Sequence, residues 1–470
     1  MEKQQIDPRD GESEVAIMGD LPKPIQSETT THASTSNLPS SSASTSDQTS
    51  NDDESKPEPT IKQGLISIVK SSWINPLVVF IPFGIASHFV WSPTVTFILN
   101  FIAIVPLAKL LGFATEDIAL RTGEIIGGLL NASFGNAVEL IISIISLSQN
   151  LVVVVQASML GSILSNLLLV LGMCFWLGGI RFKEQSFNPI VAQTSASLLF
   201  IATTSLLLPA AFYASVGSTE SAEQLTSDIL NISRATSIIL LVIYFAFLFF
   251  QLRTHKDLFL APPREARRAS YQQRSGTSRT MESMLIAREQ GLEQPARAED
   301  DDEEEEEPQM PFWMAIVLLL VITALVAVCA EFLVSAIEDV VEQWHISETF
   351  VGLILLPIVG NAAEHVTAVT VAMKNKMDLA LGVAVGSSMQ IALLVTPLMV
   401  IIGWGMQIQM SLLFNVFETA VMLISVVMVN YLMMDGKSNW LEGFMLFTLY
   451  IILAICFYYY PDAAAAELGS

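Results

Sequence analysis

Charge is what this sequence is shortest of. Only 15% of its 470 residues are Asp, Glu, Lys or Arg, against 52% hydrophobic, whereas soluble globular chains carry about 25% charged residues. A water-facing surface over most of the chain is thereby excluded. Cysteine is scarcer still. Cys174, Cys329 and Cys456 all lie in apolar runs, too few and too scattered for a disulfide framework or a zinc site. Five histidines and no HExxH pair speak against an intramembrane metalloenzyme. The N-terminus lacks the charged start and short apolar core of a cleaved signal peptide. Basic residues number 23 against 46 acidic ones, so no nucleic-acid partner is expected.

Most of the acidity lies outside the apolar runs. Residues 1–60 hold 4 basic and 12 acidic residues and are rich in Ser, Thr and Pro. A segment of that kind cannot bury enough apolar surface to fold, which predicts a disordered cytosolic tail. Residues 253–310 form a cytosolic acidic linker that opens basic and ends in nine consecutive acids, Glu299 to Glu307. A run of like charge repels itself and stays solvated. It reads as a solvated connection between two halves or, more sharply, as a low-affinity calcium-sensing strip.

What fills the rest is a series of segments of about 20 apolar residues, the length that crosses hydrocarbon as helix. Eleven are expected, at 76–90, 94–112, 122–147, 151–178, 190–214, 235–252, 312–337, 348–373, 379–403, 411–433 and 440–460. All seven tryptophans fall near segment ends, where interfacial aromatic belts place them. Lys109, Arg121, Arg181, Lys183, Arg253, Lys374, Lys376 and Lys437 gather on the side shared with the N-terminus. The other side carries essentially Arg234 among acids. The positive-inside rule then makes the N-terminus cytosolic and the C-terminal tail, 461–470, non-cytosolic.

Two five-residue stretches organise the apolar part: Gly135 to Glu139 and Gly360 to Glu364, each reading GNAxE at an offset of 225 residues. Gly161–Ser162 and Gly386–Ser387 keep that offset, as do Gln193 and Glu418. The element was therefore written twice. Residues 61–252 hold the first span and one five-span copy, and residues 311–460 hold the second. Five is odd, so the second copy enters the membrane from the opposite face, as in the inverted-topology repeats of secondary transporters. The fold class expected is an all-α polytopic membrane protein of about 11 transmembrane helices.

Each copy places a carboxylate at membrane depth, where such groups are costly and mark function. Asn136 and Glu139, like Asn361 and Glu364, are spaced i,i+3 and face the same way. Gly, Asn or Pro in mid-span loosens the helix, and freed carbonyls are tolerated where they line a cavity. Two carboxylates with amides and hydroxyls form an all-oxygen set of the kind that hard cations such as calcium prefer. Ser162, Ser165, Ser387 and Gln390 follow on the next spans and are candidate neutral ligands, with interhelical hydrogen bonding as the plainer role. His365, Glu331 and Glu418 are proton-relay candidates beside the glutamate pair. Each could equally be a buried structural group.

The paired GNAVELI and GNAAEHVTAV stretches, the eleven spans and the acidic connection between the sixth and seventh resemble the CAX family of calcium/proton exchangers over residues 64–460. The likeness is greatest to the fungal vacuolar kind. It implies that Glu139 and Glu364 ligate the transported cation with support from Asn136 and Asn361. The histidine after the second glutamate points to CAX rather than to sodium/calcium exchangers. The resemblance further implies no resident cofactor, Ca2+ and H+ as transported ions, and a place in the vacuolar membrane with an acidic lumen beyond it. A sodium-coupled exchanger and a Mn2+/H+ exchanger of the same superfamily are the alternatives, and a glutamate-lined channel is weaker because it would not need the repeat. Oligomeric state is not readable from these residues.

Overall fold

The computed structural model describes residues 59–216, 221–259 and 308–460. The tail before residue 59, the acidic run of the linker and the tail 461–470 lie outside the described residues. Apart from turns, short irregular connections and one two-residue ladder, what is described is helical. Gln185–Ser186 pairs antiparallel with Lys437–Ser438, and Gln185 stands opposite Ser438.

The first half begins with α1 (Ile61–Lys70) and α2 (Phe80–Val90). Thr60 and Gln63 close a capping box at the start of α1, satisfying two of the N–H groups a helix start leaves open. A bend of 100° separates α1 from Asn75–Val90. Next, α3 (Pro93–Phe134) opens on a proline, whose missing N–H costs nothing in a first turn. It runs 42 residues, broken at Gly123, whose φ of 82° suits glycine alone. Asn136 then leaves helical geometry, with φ −105° and ψ 27°, before α4 (Ala137–Ser148). After α4 come α5 (Val152–Leu164), a π-helical turn over Ser165–Val170, α6 (Leu171–Arg181), α7 (Pro189–Val216) and α8 (Ala222–Phe249).

The second half runs α9 (Phe312–Ser335), α10 (Ile337–Trp344), a π-helical turn over Val351–Leu355, α11 (Leu356–Gly360) and α12 (Ala362–Ala372). It continues with α13 (Met377–Gln390), a π-helical turn over Ile391–Val395, α14 (Thr396–Met406), α15 (Val416–Leu432) and α16 (Trp440–Tyr458). Asn361 breaks α11 from α12 as Asn136 breaks α3 from α4. Both long helices that carry the Gly-Ser pairs take a π turn, beginning at Ser165 in one and directly after Gln390 in the other. Such turns often accompany functional sites.

Among the described residues, seven helices are long and apolar enough to cross a membrane, and counting each bent pair as one span raises this to nine. Two of the eleven expected segments take a particular form in the structure. The segment expected at 122–147 is severed at Asn136 and contributes the shorter helix α4. The one expected at 411–433 starts only at Val416, because Gln407, at φ 61°, ends α14 and residues 408–415 are irregular.

Burial separates centre from rim. The apolar windows of the continuous helices Val152–Arg181 and Met377–Met406 are 72% and 67% buried, against 28% for Ala222–Thr254 and Trp440–Tyr458. The two halves meet at a glycine crossing. A Cβ on Gly161 would stand 2.1 Å from the Leu353 carbonyl oxygen, and one on Gly352 would stand 2.7 Å from Ala157 Cβ. Small residues at such a crossing let backbones approach closely. The connections sort into two sets that bond within themselves. Glu184 pairs with Lys437, Asn188 N–H with Asp378 and Gln309 N–H with Asp117 on the basic side. Gln149 pairs with Glu331, and Gln156 with the Ser411 and Leu413 carbonyls, on the other.

Candidate functional site

Because both helix breaks fall at the GNAxE stretches, Glu139 stands in the first turn of α4 and Glu364 in the first turn of α12. Such positions lie at the positive end of a helix dipole, which favours a carboxylate. Glu139 is buried, with 5% of its surface exposed, while Glu364 is half-buried. The two carboxyls lie within electrostatic reach of each other. The second break is pressed against the first glutamate: a Cβ on Gly360 would stand 2.7 Å from Glu139 Oε1.

A polar chain then crosses from one copy to the other. Asn136 Nδ2 donates to Gln390 Oε1 at 2.7 Å. The Ser387 hydroxyl lies 2.7 Å from Asn136 Oδ1 and 2.9 Å from Glu364 Oε1. Asn166 Nδ2 donates to Glu364 Oε2 at 3.2 Å. Nearby, Asn361 Nδ2 reaches the Ser162 carbonyl at 3.5 Å, and the Ser162 side chain lines a small cavity with Glu139, Ser143, Ser158, Pro357 and Gly360. His365 Nε2 stands 3.3 Å from Ser165 Oγ. The fold thus brings together Glu139, Glu364, Asn136, Asn361, Ser162, Ser165, Ser387, Gln390 and His365.

Glu331 and Glu418 stand apart. Glu331 is exposed on α9 and accepts from Gln149 Nε2 at 3.1 Å. Glu418 is buried in the first turn of α15, bonded to the Asn415 backbone. Two members of the neighbourhood went unread in the sequence. Asn166 follows Ser162 by four residues and so shares its helix face, which is the signal that could have found it. Lys109, read with the cytosolic connections, instead sits inside α3 and donates to Thr367 Oγ1 at 3.1 Å, one turn from Glu364.

Chemically the cluster is oxygen-rich and poor in titratable groups. Glu139 Oε1, Asn166 Oδ1 and Asn361 Oδ1 are buried acceptors without a donor, oxygens of the kind that a hard cation binds. No group of three or more His, Cys, Asp or Glu gathers as a metal centre among the described residues. The donor set is two carboxylates supplemented by amides, hydroxyls and carbonyls. That composition suits a cation that comes and goes.

Known proteins match most of this chain. The family profile described as sodium/calcium exchanger protein matches residues 92–253 and 314–459. A vacuolar calcium ion transporter of Schizosaccharomyces pombe is 43% identical over 397 residues, covering 84% of this chain and 87% of its own. A Ca(2+)/H(+) antiporter of Synechocystis is 42% identical, covering 83% of this chain and 98% of its own. Among solved structures, a crystal structure of the Ca2+/H+ antiporter protein YfkE superposes with a TM-score of 0.62 at 33% identity, covering 81% of this chain and 98% of that one.

Proposed function

The chain belongs to the sodium/calcium exchanger protein family, and from that premise we propose that it exchanges calcium for protons at the paired glutamates Glu139 and Glu364. Calcium enters when both carboxylates are ionised, with Asn136, Asn361, Ser162, Ser387 and Gln390 supplying neutral oxygens. Protons arriving from an acidic lumen neutralise the pair and displace it. The observation that carries this reading is the chain of contacts joining Glu364 through Ser387 to Asn136, which couples the two copies of the motif into one site.

Hydrogen-bond bookkeeping supports the competition. Ser387 has one hydroxyl proton and two oxygens within reach. If it donates to Asn136 Oδ1, the bond to Glu364 Oε1 is complete only when that carboxyl is itself the donor. Every link then carries one proton: Glu364 to Ser387, Ser387 to Asn136, Asn136 to Gln390. An ionised pair would leave oxygen facing oxygen at Ser387, a gap that a divalent cation fills.

The orientation follows from the basic connections, with the N-terminus cytosolic and the C-terminus luminal in a vacuolar membrane. The eleven spans and their inverted repeats supply alternating access. The two central helices, Val152–Arg181 and Met377–Met406, hold the site while α3–α4 and α11–α12, broken at Asn136 and Asn361, move against them.

The test is calcium uptake into proteoliposomes with an acid interior. The wild type accumulates calcium, a protonophore abolishes it, and Glu139→Gln and Glu364→Gln each reduce it at least hundredfold. Uptake that ignores the pH gradient or survives either substitution would overturn the mechanism, and dependence on sodium would point to the sodium-coupled alternative.

A further inference from the structure

The face of α4 that carries Glu139 does not end there. Ser143 and Ser146 follow at i+4 and i+7, on the same side of the helix. Both are 99% buried, and neither hydroxyl has a hydrogen-bond partner. Buried polar groups are almost always bonded to protein or to ordered water, so two orphan hydroxyls in line with an orphan carboxylate oxygen mark a place for water. A cavity with room for about one water molecule adjoins Glu139 and Ser143, lined also by Ser158 and Ser162, and Ser146 lies one turn of α4 beyond its lining. Three residues beyond Ser146 the stripe ends at Gln149, which donates to the exposed Glu331 of α9. The run from Glu139 to Gln149 spans about 15 Å of helix.

We propose that Ser143 and Ser146 hold a file of water joining Glu139 to a mouth at Gln149 and Glu331, and that protons, but not calcium, travel along it. The path rests on the antiport reading above, in which this end of α4 faces the lumen. Size decides which ion it takes. Calcium needs six to eight oxygens around it, and a space for one water with two hydroxyls cannot supply them, whereas a proton needs only an unbroken chain of donors and acceptors. The other titratable and charged groups around α4 do not compete. Of those on α3, Lys109 binds Thr367, Asp117 and Arg121 bind Gln309 and Met310, and Glu116 is exposed, while Glu124 lies on the far side of Glu139 along the chain from Ser143 and Ser146. Helices α5, α11 and α14 bring none. Glu331 is therefore the acid that faces the mouth.

The experiment separates proton entry from calcium binding. In proteoliposomes, proton-driven calcium uptake is compared with calcium-for-calcium exchange at equal pH on both sides, which needs no proton movement. Ser143→Val with Ser146→Val fills the space and removes both hydroxyls. The expected result is at least a tenfold loss of proton-driven uptake with calcium-for-calcium exchange within twofold of wild type, and recovery when both positions are Thr. Calcium-for-calcium exchange also reports that the variant is folded. Equal loss of both rates would make the serines part of the shared calcium route, and no loss of either would remove the water file. Either result overturns the proposal. A wild type that takes up calcium without regard to pH would instead overturn the antiport reading, and this path with it.

Discussion

At the scale of single residues, the site depends on two small groups as much as on the two acids. Ser387 bridges Asn136 Oδ1 and Glu364 Oε1, and removing it strands both. Leaving buried polar groups unmade costs roughly 1–3 kcal/mol, so Ser387→Ala should raise the calcium concentration for half-maximal uptake about tenfold. Ser387→Thr, which keeps the hydroxyl, should stay near wild type. An unchanged half-saturation in the alanine variant would take Ser387 out of the site. Gly360 acts by its lack of a side chain. The Cβ of Gly360→Ala would press on Glu139 Oε1, the far end of a side chain that can swing aside. The protein should therefore fold and insert in normal amounts, while the carboxylate is displaced. Misplacing a reacting group by about 1 Å can cost 10²-fold, and a loss of that order in uptake rate at constant protein level is expected. Wild-type uptake by this variant would mean that Glu139 does not work from the place it occupies.

At the scale of elements, the helix breaks position the two glutamates. Those at Asn136 and Asn361 were legible in the sequence because Gly-Asn within an apolar run, written twice 225 residues apart, weakens the same turn twice. The break at Gly123 was not legible. Residue 123 falls inside the segment expected at 122–147, and a single glycine after a threonine does not announce a change of direction, whereas the chain leaves helical geometry there at positive φ and two helices meet at a kink. The late start of α15 was hidden for a similar reason, since residues 408–415 are apolar enough to pass for helix. Asn166 was missed because its only signal is the four-residue spacing from Ser162, with no counterpart in the second copy's motif to draw attention to it, and Lys109 because its partner, Thr367, is 258 residues away. The Gly123 hinge can be tested against a neighbour on the same helix. A Cβ meets nothing within 4 Å at either Gly112 or Gly123, but only Gly123 has positive φ. Gly112→Ala should stabilise by about 0.4–1 kcal/mol, and Gly123→Ala should destabilise by more than that. Thermal unfolding in detergent should thus move up for the first and down for the second. Equal shifts would mean that Gly123 is not held at that angle.

At the scale of the whole molecule, the number of titratable groups at the site bears on its energetics. Two carboxylates meet there and their other contacts are amides, hydroxyls or carbonyls, with His365 held by Ser165 and Lys109 held by Thr367 at the edge of the site. A site that swaps one divalent cation for the protons of two carboxylates moves two charges each way, so the exchange should be electroneutral. One pH unit supplies about 1.4 kcal/mol per proton. Two protons then sustain roughly a hundredfold calcium ratio per pH unit, independent of voltage. A third proton, carried by His365, would raise the ratio to about a thousandfold per pH unit and add about 2.3 kcal/mol for each 100 mV. The static head reached by proteoliposomes under fixed pH gradients, with the potential clamped by potassium and valinomycin, distinguishes these. A hundredfold ratio per unit that does not move with the clamp is expected. A ratio that follows the potential would place a third titrating group in the cycle, and loss of that voltage dependence in His365→Asn would identify it.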